Sequence, residues 1–161
     1  MWNWFKFIII FIGSVAIAVM AIVFYNASKP YKAIEKEMLQ YAYDEEILAS
    51  VDDISLYNGS ESLAVIYGKN EKGADVATFV PVEEKERKPI HTVDLSKGVT
   101  AEEAVEAVRE EVDLSKVLNV HLGYDEEQVF WEVIFENEEK ALNYVYISFE
   151  SGNWWKRLLN V

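Results

Sequence analysis

One uncharged stretch, residues 7–25, constrains this chain more than any other feature. It holds nineteen residues, of which twelve are Ile, Val or Phe. As a helix rising 1.5 Å per residue it would be about 28 Å long, close to the ~30 Å hydrocarbon core of a bilayer. Trp2 and Trp4 precede it and Tyr25 ends it, at positions typical of interfacial anchors. The stretch predicts a transmembrane helix over residues 7–25.

Two other interpretations of this stretch are disfavoured. A soluble core helix would be apolar on every side, and a chain of 161 residues could hardly cover it. A cleaved signal peptide has a shorter apolar segment of about 7–15 residues and a small-residue cleavage site. Cleavage after Ala27 would put Tyr25 where a small residue is needed. We therefore expect a retained signal anchor.

The lysines around the stretch do not settle its orientation. Lys6 precedes it and three lysines follow it by residue 36, so the positive-inside rule alone does not favour a cytoplasmic N-terminus. A short tail before a long C-terminal part is, however, the usual build of a signal anchor. We expect residues 1–6 in the cytoplasm and residues 26–161 outside a cell membrane that the chain crosses once.

The charge of residues 26–161 limits the partners of this part. It contains all 28 acidic residues and 14 of the 15 basic ones, a net charge near −14. Such acidity argues against binding nucleic acid or an anionic membrane surface. The chain has no cysteine, which excludes lipoprotein processing, disulfides and thiol catalysis. An exported domain without disulfides is typical of Gram-positive bacteria.

Residues 26–161 show one order of elements twice. After a break at residues 26–30, helical spacing predicts a helix from Pro30 to about Ala49, and strands follow at 51–58, 63–69 and 74–82. Thr100 and Glu103 form a capping box that opens a second helix, ending near Asp113. The strands after it are predicted at 117–123, 128–136 and 140–150, with a short fourth strand at 154–158.

These elements predict an α+β fold class. An N-terminal transmembrane helix precedes two small tandem αβββ domains, of a cystatin-like or PepSY-like kind, each with a helix across one face of a curled antiparallel sheet. The domains are predicted at residues 26–82 and 100–161, with the charged residues 83–99 as a linker. Each has only about 50–60 residues and is marginal alone, so we expect the two to pack together.

No residue pattern indicates catalysis, a cofactor or a metal. His91 and His121 stand alone, one beside Pro89 and one in a strand, and a metal site needs several such ligands at helical or hairpin spacing. The sequence has no Gly-x-Ser-x-Gly motif, which surrounds the nucleophilic serine of many hydrolases. The acidic clusters fit a solvated helix face (residues 102–111) and a hairpin turn (125–127) better than a glycosidase pair. We expect a protein that is not an enzyme.

Aromatic residues in the second half give a sharper signal. On strand 128–136 the alternation makes both faces of the sheet partly apolar, although one helix can cover only one face. The first domain or a loop is expected to cover the second face, and a partner protein is the functional alternative. The adjacent Trp pair at the C-terminal edge raises the same question. The candidate partner-binding residues are Phe130, Ile134, Tyr144, Tyr146, Trp154 and Trp155.

The second half resembles a PepSY domain. The resemblance lies in Thr100-Ala101-Glu102-Glu103-Ala104 at the helix start, Trp131-Glu132-Val133 in the middle strand, and Tyr144-Val145-Tyr146-Ile147 followed by Gly152 in a turn. The usual Asp before that turn is replaced by Ser148 or displaced to Glu150, so a role tied to this carboxylate is not implied. In layout the whole chain is similar to membrane-anchored cell wall elongation regulators of Gram-positive bacteria.

That resemblance implies a non-catalytic, extracytoplasmic binding module. Its implied partner is a penicillin-binding protein or another membrane protein of wall synthesis, with no cofactor and no nucleic acid. Because PepSY domains also resemble inhibitory propeptides of secreted metallopeptidases, the alternative is an inhibitor or regulator of a secreted or membrane protease.

Overall fold

The computed structural model describes residues 2–83, 85, 87–125 and 127–159, and gives only the backbone of residues 2, 3, 5 and 27–30. A long helix is followed by four strands, a second helix and four more strands. The bounds are α1 (Trp2–Asp44), β1 (Ser50–Asn58), β2 (Ser62–Lys69), β3 (Asp75–Pro81), β4 (His91–Asp94), α2 (Ala101–Glu111), β5 (Lys116–Asp125), β6 (Gln128–Glu136), β7 (Leu142–Ser148) and β8 (Trp154–Leu158). A 3₁₀ turn, Leu95–Lys97, lies between β4 and α2.

Helix α1 runs without interruption through the predicted break at residues 26–30, so that prediction is wrong. A proline inside a helix removes one backbone hydrogen bond. The apolar segment before Pro30 and the amphipathic segment after it both favour helix, and together they outweigh this one loss. The segment 7–25 is long and apolar enough to cross a membrane, and its side chains are exposed.

The helix also ends earlier than the predicted Ala49. Its last turn carries Asp44, followed by two glutamates, and acidic groups at a helix C-terminus oppose the helix dipole. Glu46 adopts a left-handed conformation with φ of 50°. The backbone N–H of Ala49 then donates to the carbonyl of Lys69 at 2.8 Å, so this residue already belongs to the ladder of the first sheet.

Strands β1 to β4 form one antiparallel sheet in sequence order, here called sheet A. Its fourth strand, β4, lies in the stretch predicted as a linker, and pairs with β3 through Phe79 opposite His91. A run of four residues is too short for alternation to identify a strand. The charged residues before β4 also favoured the prediction of a linker. The fold therefore has four strands where the sequence predicted three in this half.

Strands β5 to β8 form a second antiparallel sheet, sheet B, again in sequence order. The predicted short fourth strand is present as β8. Helix α2 begins with the predicted capping box, in which the backbone N–H of Thr100 donates to Glu103 at 2.7 Å and the Thr100 hydroxyl accepts from the Glu103 N–H. The structure thus has two four-stranded antiparallel sheets, while the specific PepSY-like arrangement stays a prediction.

One hydrophobic core contains residues of both sheets, within a unit that spans Met38–Val161. Sheet A contributes Tyr57 and Phe79 to it, and sheet B contributes Leu122 and Phe130. The two halves therefore pack on each other, as their small size predicted. A separate set of buried residues on sheet A, which includes Ile54 and Ile66, lies outside this cluster, as does the buried Met38 at the end of α1.

Candidate functional site

The two faces of sheet B have different surroundings. On the face toward α2, here called the inner face, the β6 residues Val129, Trp131, Val133 and Phe135 are all buried. The indole Nε1 of Trp131 donates to the carbonyl of Val99, just before α2, at 2.8 Å. This face is a closed core with its polar group satisfied.

The opposite face, here called the outer face, carries Phe130, Glu132 and Ile134 on β6, Tyr144 and Tyr146 on β7, and Trp155 on β8. Sheet A covers one end of it. There the ring of Tyr57 meets Phe130 edge-on with centroids 5.6 Å apart. Gly123 of β5 permits this approach, because a Cβ at that position would collide with the rings of both Phe130 and Tyr57.

Phe130 was predicted as a partner-binding residue, and the structure instead places it in the core. Only 1% of its surface is exposed, and its ring also lies 4.8 Å from that of Trp155 and 5.4 Å from that of Tyr146. Alternation along β6 assigned Phe130 to the outer face correctly. It could not show that Tyr57, more than seventy residues earlier, would cover that end of the face.

The remaining candidates lie where sheet A does not cover sheet B. Ile134 and Tyr144 are opposite each other on β6 and β7, and both are partly exposed. Tyr146 and Trp155 are partly exposed beside them, with their rings 6.2 Å apart and perpendicular. These four residues, Ile134, Tyr144, Tyr146 and Trp155, are here called the aromatic strip.

Trp154 is separate from the strip. It lies opposite Ile147, an inner-face residue, and the guanidinium of Arg157 is 5.9 Å from its ring. Together with Glu111 of α2 it lines a groove of about 290 Å³. The adjacent tryptophans thus project to opposite faces of β8, as alternation predicted.

A polar row crosses the outer face beside the covered end and shares Tyr146 with the strip. In register, His121 of β5 is opposite Glu132 of β6. Glu132 is in turn opposite Tyr146 of β7, and Tyr146 is opposite Lys156 of β8. Glu132 is buried, and its carboxylate is 2.6 Å from the Nε2 of His121. The hydroxyl of Tyr146 donates to the same carboxylate. A buried acid is therefore held by two neighbours.

These contacts set the ionisation of Glu132 and of the two tyrosines beside it. Burial pushes the pKa of Glu132 upward, but the hydrogen bonds from His121 and Tyr146 outweigh it, so this pKa lies below its ordinary value. Burial, followed by the negative charges of Glu132 and Asp125, raises the pKa of Tyr57 to about 12. Burial and the bond to Glu132 likewise raise the pKa of Tyr146. Glu132 is a carboxylate at neutral pH, with protonated tyrosines around it.

Sequence reasoning missed the pair of His121 and Glu132. Glu132 appeared only as part of a strand motif, and His121 was assigned a packing or solvent-facing role. One signal was present, since alternation put Glu132 between Phe130 and Ile134 on an apolar face, where a buried acid needs a partner. Identifying that partner required the register of β5 against β6. Among the described residues, no group of three or more potential ligands could hold a metal ion.

Comparisons with known proteins identify the relatives of this chain. Residues 39–81, from the end of α1 through β3, match the family model described as a cell wall elongation regulator TseB-like domain. The protein named probable cell wall elongation regulator TseB, from Bacillus subtilis (strain 168), is 27% identical over 117 residues, which are 73% of this chain and 71% of that protein. The solved structure of the YpmB protein from Bacillus subtilis aligns with a TM-score of 0.66 and 26% identity, over 78% of this chain and 96% of that one.

The predicted resemblance to cell wall elongation regulators of Gram-positive bacteria is therefore confirmed. The match to the family model lies in the first half of the chain, whereas the PepSY motifs lie in the second half, so the PepSY resemblance stays a prediction.

Proposed function

We propose that this chain, which carries a TseB-like domain, is a single-pass membrane protein that regulates cell wall elongation by binding and not by catalysis. Residues 7–25 cross the membrane, and the body that follows lies outside it. The partner is a membrane-anchored penicillin-binding protein, or another membrane protein of wall synthesis.

The aromatic strip is the observation that carries this proposal. Sheet A covers one end of the outer face and leaves Ile134, Tyr144, Tyr146 and Trp155 partly exposed next to one another. Aromatic residues are enriched in protein interfaces, and contiguous apolar patches mark them. The net charge of −13 disfavours nucleic acid and anionic lipid as the occupant. A protein surface is the partner that fits.

Membrane anchoring makes a small patch sufficient. Two proteins held in one membrane meet at a raised effective concentration, so a modest interface can give stable association. The exposed apolar segment of α1 supports such an anchor. Membrane anchoring therefore supports a regulatory role that requires the protein to lie in the same membrane as its partner.

The polar row supports binding over catalysis. A general acid at neutral pH needs a raised carboxyl pKa, whereas the pKa of Glu132 is lowered by its partners. The raised pKa values of Tyr57 and Tyr146 keep both phenols protonated. The descriptions of the matched family model and of the curated relative name regulators, and these matches do not favour the protease-inhibitor alternative.

Capture from membranes tests the proposal. The full chain carrying Ile134→Ser and Tyr144→Ser is expressed in Gram-positive cells, crosslinked and purified, and penicillin-binding proteins in the eluate are quantified with a labelled β-lactam. We expect capture to fall tenfold or more, because loss of central interface anchors commonly costs about 2 kcal/mol or more. The exposed Tyr43→Ser on α1 is the matched control and should capture normally.

The melting temperature of each variant is measured on the same preparation. Unchanged capture by the double variant at an unchanged melting temperature would overturn the assignment of the strip. A protease added outside wall-stripped cells should digest the body, and protection of the body would overturn the orientation.

A further inference from the structure

The outermost strand of sheet B differs in charge from the rest of its half. Residues 100–161 contain 14 acidic and five basic residues, and β8 holds two of the basic ones, Lys156 and Arg157, and none of the acidic ones. Both basic side chains are exposed. A short cationic segment therefore lies at the rim of an acidic body.

The backbone of β8 has a free side. It pairs with β7 on one side, and no described strand pairs with the other. The free N–H and C=O groups of an edge strand can pair with another chain. Lysine at an edge often serves only to prevent such pairing, so the basic residues alone do not identify a site.

The tryptophans distinguish β8 from an edge that is merely protected. Trp154 and Trp155 are both partly exposed on this strand, and large aromatic groups favour association. The indole Nε1 of Trp154 is buried and has no acceptor among the described residues. A groove of about 290 Å³, which Trp154 lines with Glu111, lies beside this edge.

The two cations point to opposite faces. Lys156 is opposite Tyr146, with its Nζ 5.9 Å from the centre of that ring on the outer face. Arg157 is opposite Val145 and lies beside Trp154 on the inner face. A flat anionic surface such as a lipid bilayer would meet one of them at a time. A strand added to the edge would meet both, because successive residues of a strand also project to opposite faces.

We infer that β8 is the docking edge for an extended acidic segment of the protein partner, which adds a fifth strand to sheet B. Two consecutive acidic residues in that segment face Lys156 and Arg157, one on each face, and neighbouring apolar residues contact Trp154 and Trp155. The inference rests on the proposed function and extends it, because Tyr146 and Trp155 continue the aromatic strip from this edge.

Two peptides of identical composition test this arrangement. One has the sequence Thr-Val-Glu-Glu-Val-Thr and the other Thr-Glu-Val-Glu-Val-Thr, both blocked at their ends and labelled with a fluorophore. Binding to the full chain in phosphatidylcholine nanodiscs is followed by fluorescence anisotropy. We expect the first to bind about threefold tighter, because only consecutive carboxylates reach both cations, and one cross-strand charge pair accounts for such a factor.

Charge reversal at β8 gives the larger effect. Lys156→Glu with Arg157→Glu should weaken the first peptide about tenfold, since two attractions become repulsions. Lys72→Glu with Lys116→Glu is the matched control, because both residues are exposed, lie outside β8 and change the net charge equally. Hydrogen exchange should show that the β8 amides on the side away from β7 become protected only when the peptide is bound.

Several outcomes would overturn the inference. These are no binding of the first peptide at millimolar concentration, equal loss in both charge-reversal variants, or equal affinity for the two peptides. Protection of β8 that grows with protein concentration alone would assign the edge to a second copy of this chain. Protection that appears in phosphatidylglycerol nanodiscs without peptide would assign it to lipid. If the peptide fails to bind but the strip variants still lose capture, the edge assignment fails and the proposed function stands.

Discussion

The inner and outer faces of sheet B are built from the same alternating strands but are closed in different ways. On the inner face, α2 covers the apolar residues of β6, and Trp131 satisfies its indole with the carbonyl of Val99. On the outer face, sheet A covers only the end near Phe130. The rest of this face carries the polar row and the aromatic strip, which share Tyr146. An apolar strand face thus becomes core where a second element reaches it, and stays partly exposed where the described elements leave it uncovered.

The largest expected effect tests the inner face. Trp131→Ala should lower the free energy of unfolding by about 3–5 kcal/mol, because it leaves a large cavity and leaves the Val99 carbonyl without its donor. Urea unfolding followed by circular dichroism measures this change. Because the sheets share one core, the signal of both sheets should be lost in a single transition. A separate, unchanged transition for sheet A would contradict the shared core.

The next prediction tests whether the covered end of the outer face contributes to stability as the inner face does. Phe130→Ala should cost about 3 kcal/mol, since this ring is buried against Tyr57 and Trp155. Tyr144→Ala, in the uncovered strip, should cost about 1 kcal/mol or less. The same urea unfolding compares both variants. Equal costs would remove the distinction between the covered end and the strip.

The smallest expected effect concerns the polar row and depends on pH. The folded-state pKa of Glu132 lies below its ordinary value, so its carboxylate stabilises the fold above the unfolded-state pKa. This contribution is lost as the pH falls through the folded-state pKa. Glu132→Gln should therefore lower stability at pH 7 by about 1–3 kcal/mol, with a difference from the wild type that shrinks in acid.

Melting temperatures between pH 3 and pH 7 measure this difference, with Glu136→Gln on the same strand as the control. If the difference between wild type and Glu132→Gln does not depend on pH, the ionised carboxylate of Glu132 is not what stabilises the fold.

Several parts of the fold could be predicted because they depend on local sequence. The capping box of α2 needs only Thr100 and Glu103 three residues apart, and alternation assigned the two faces of β6 correctly. Other predictions failed where the local pattern was weak or was overridden. The four residues of β4 pair because β3 offers a free edge, and α1 continues through Pro30 because helix is favoured on both sides.

The sequence by itself determined the apolar segment, most strands of the two sheets and the faces on which the aromatic residues of β6 and β7 lie. These features follow from hydrophobicity and from sequence periods of two residues in strands and 3.6 residues in helices. Both depend only on residues that are close together along the chain. Only the tertiary structure decided that Tyr57 buries Phe130, that His121 meets Glu132, and that Ile134 and Tyr144 stay partly exposed. These are contacts across strand register and between sheets, and their geometry depends on how far one element extends over another.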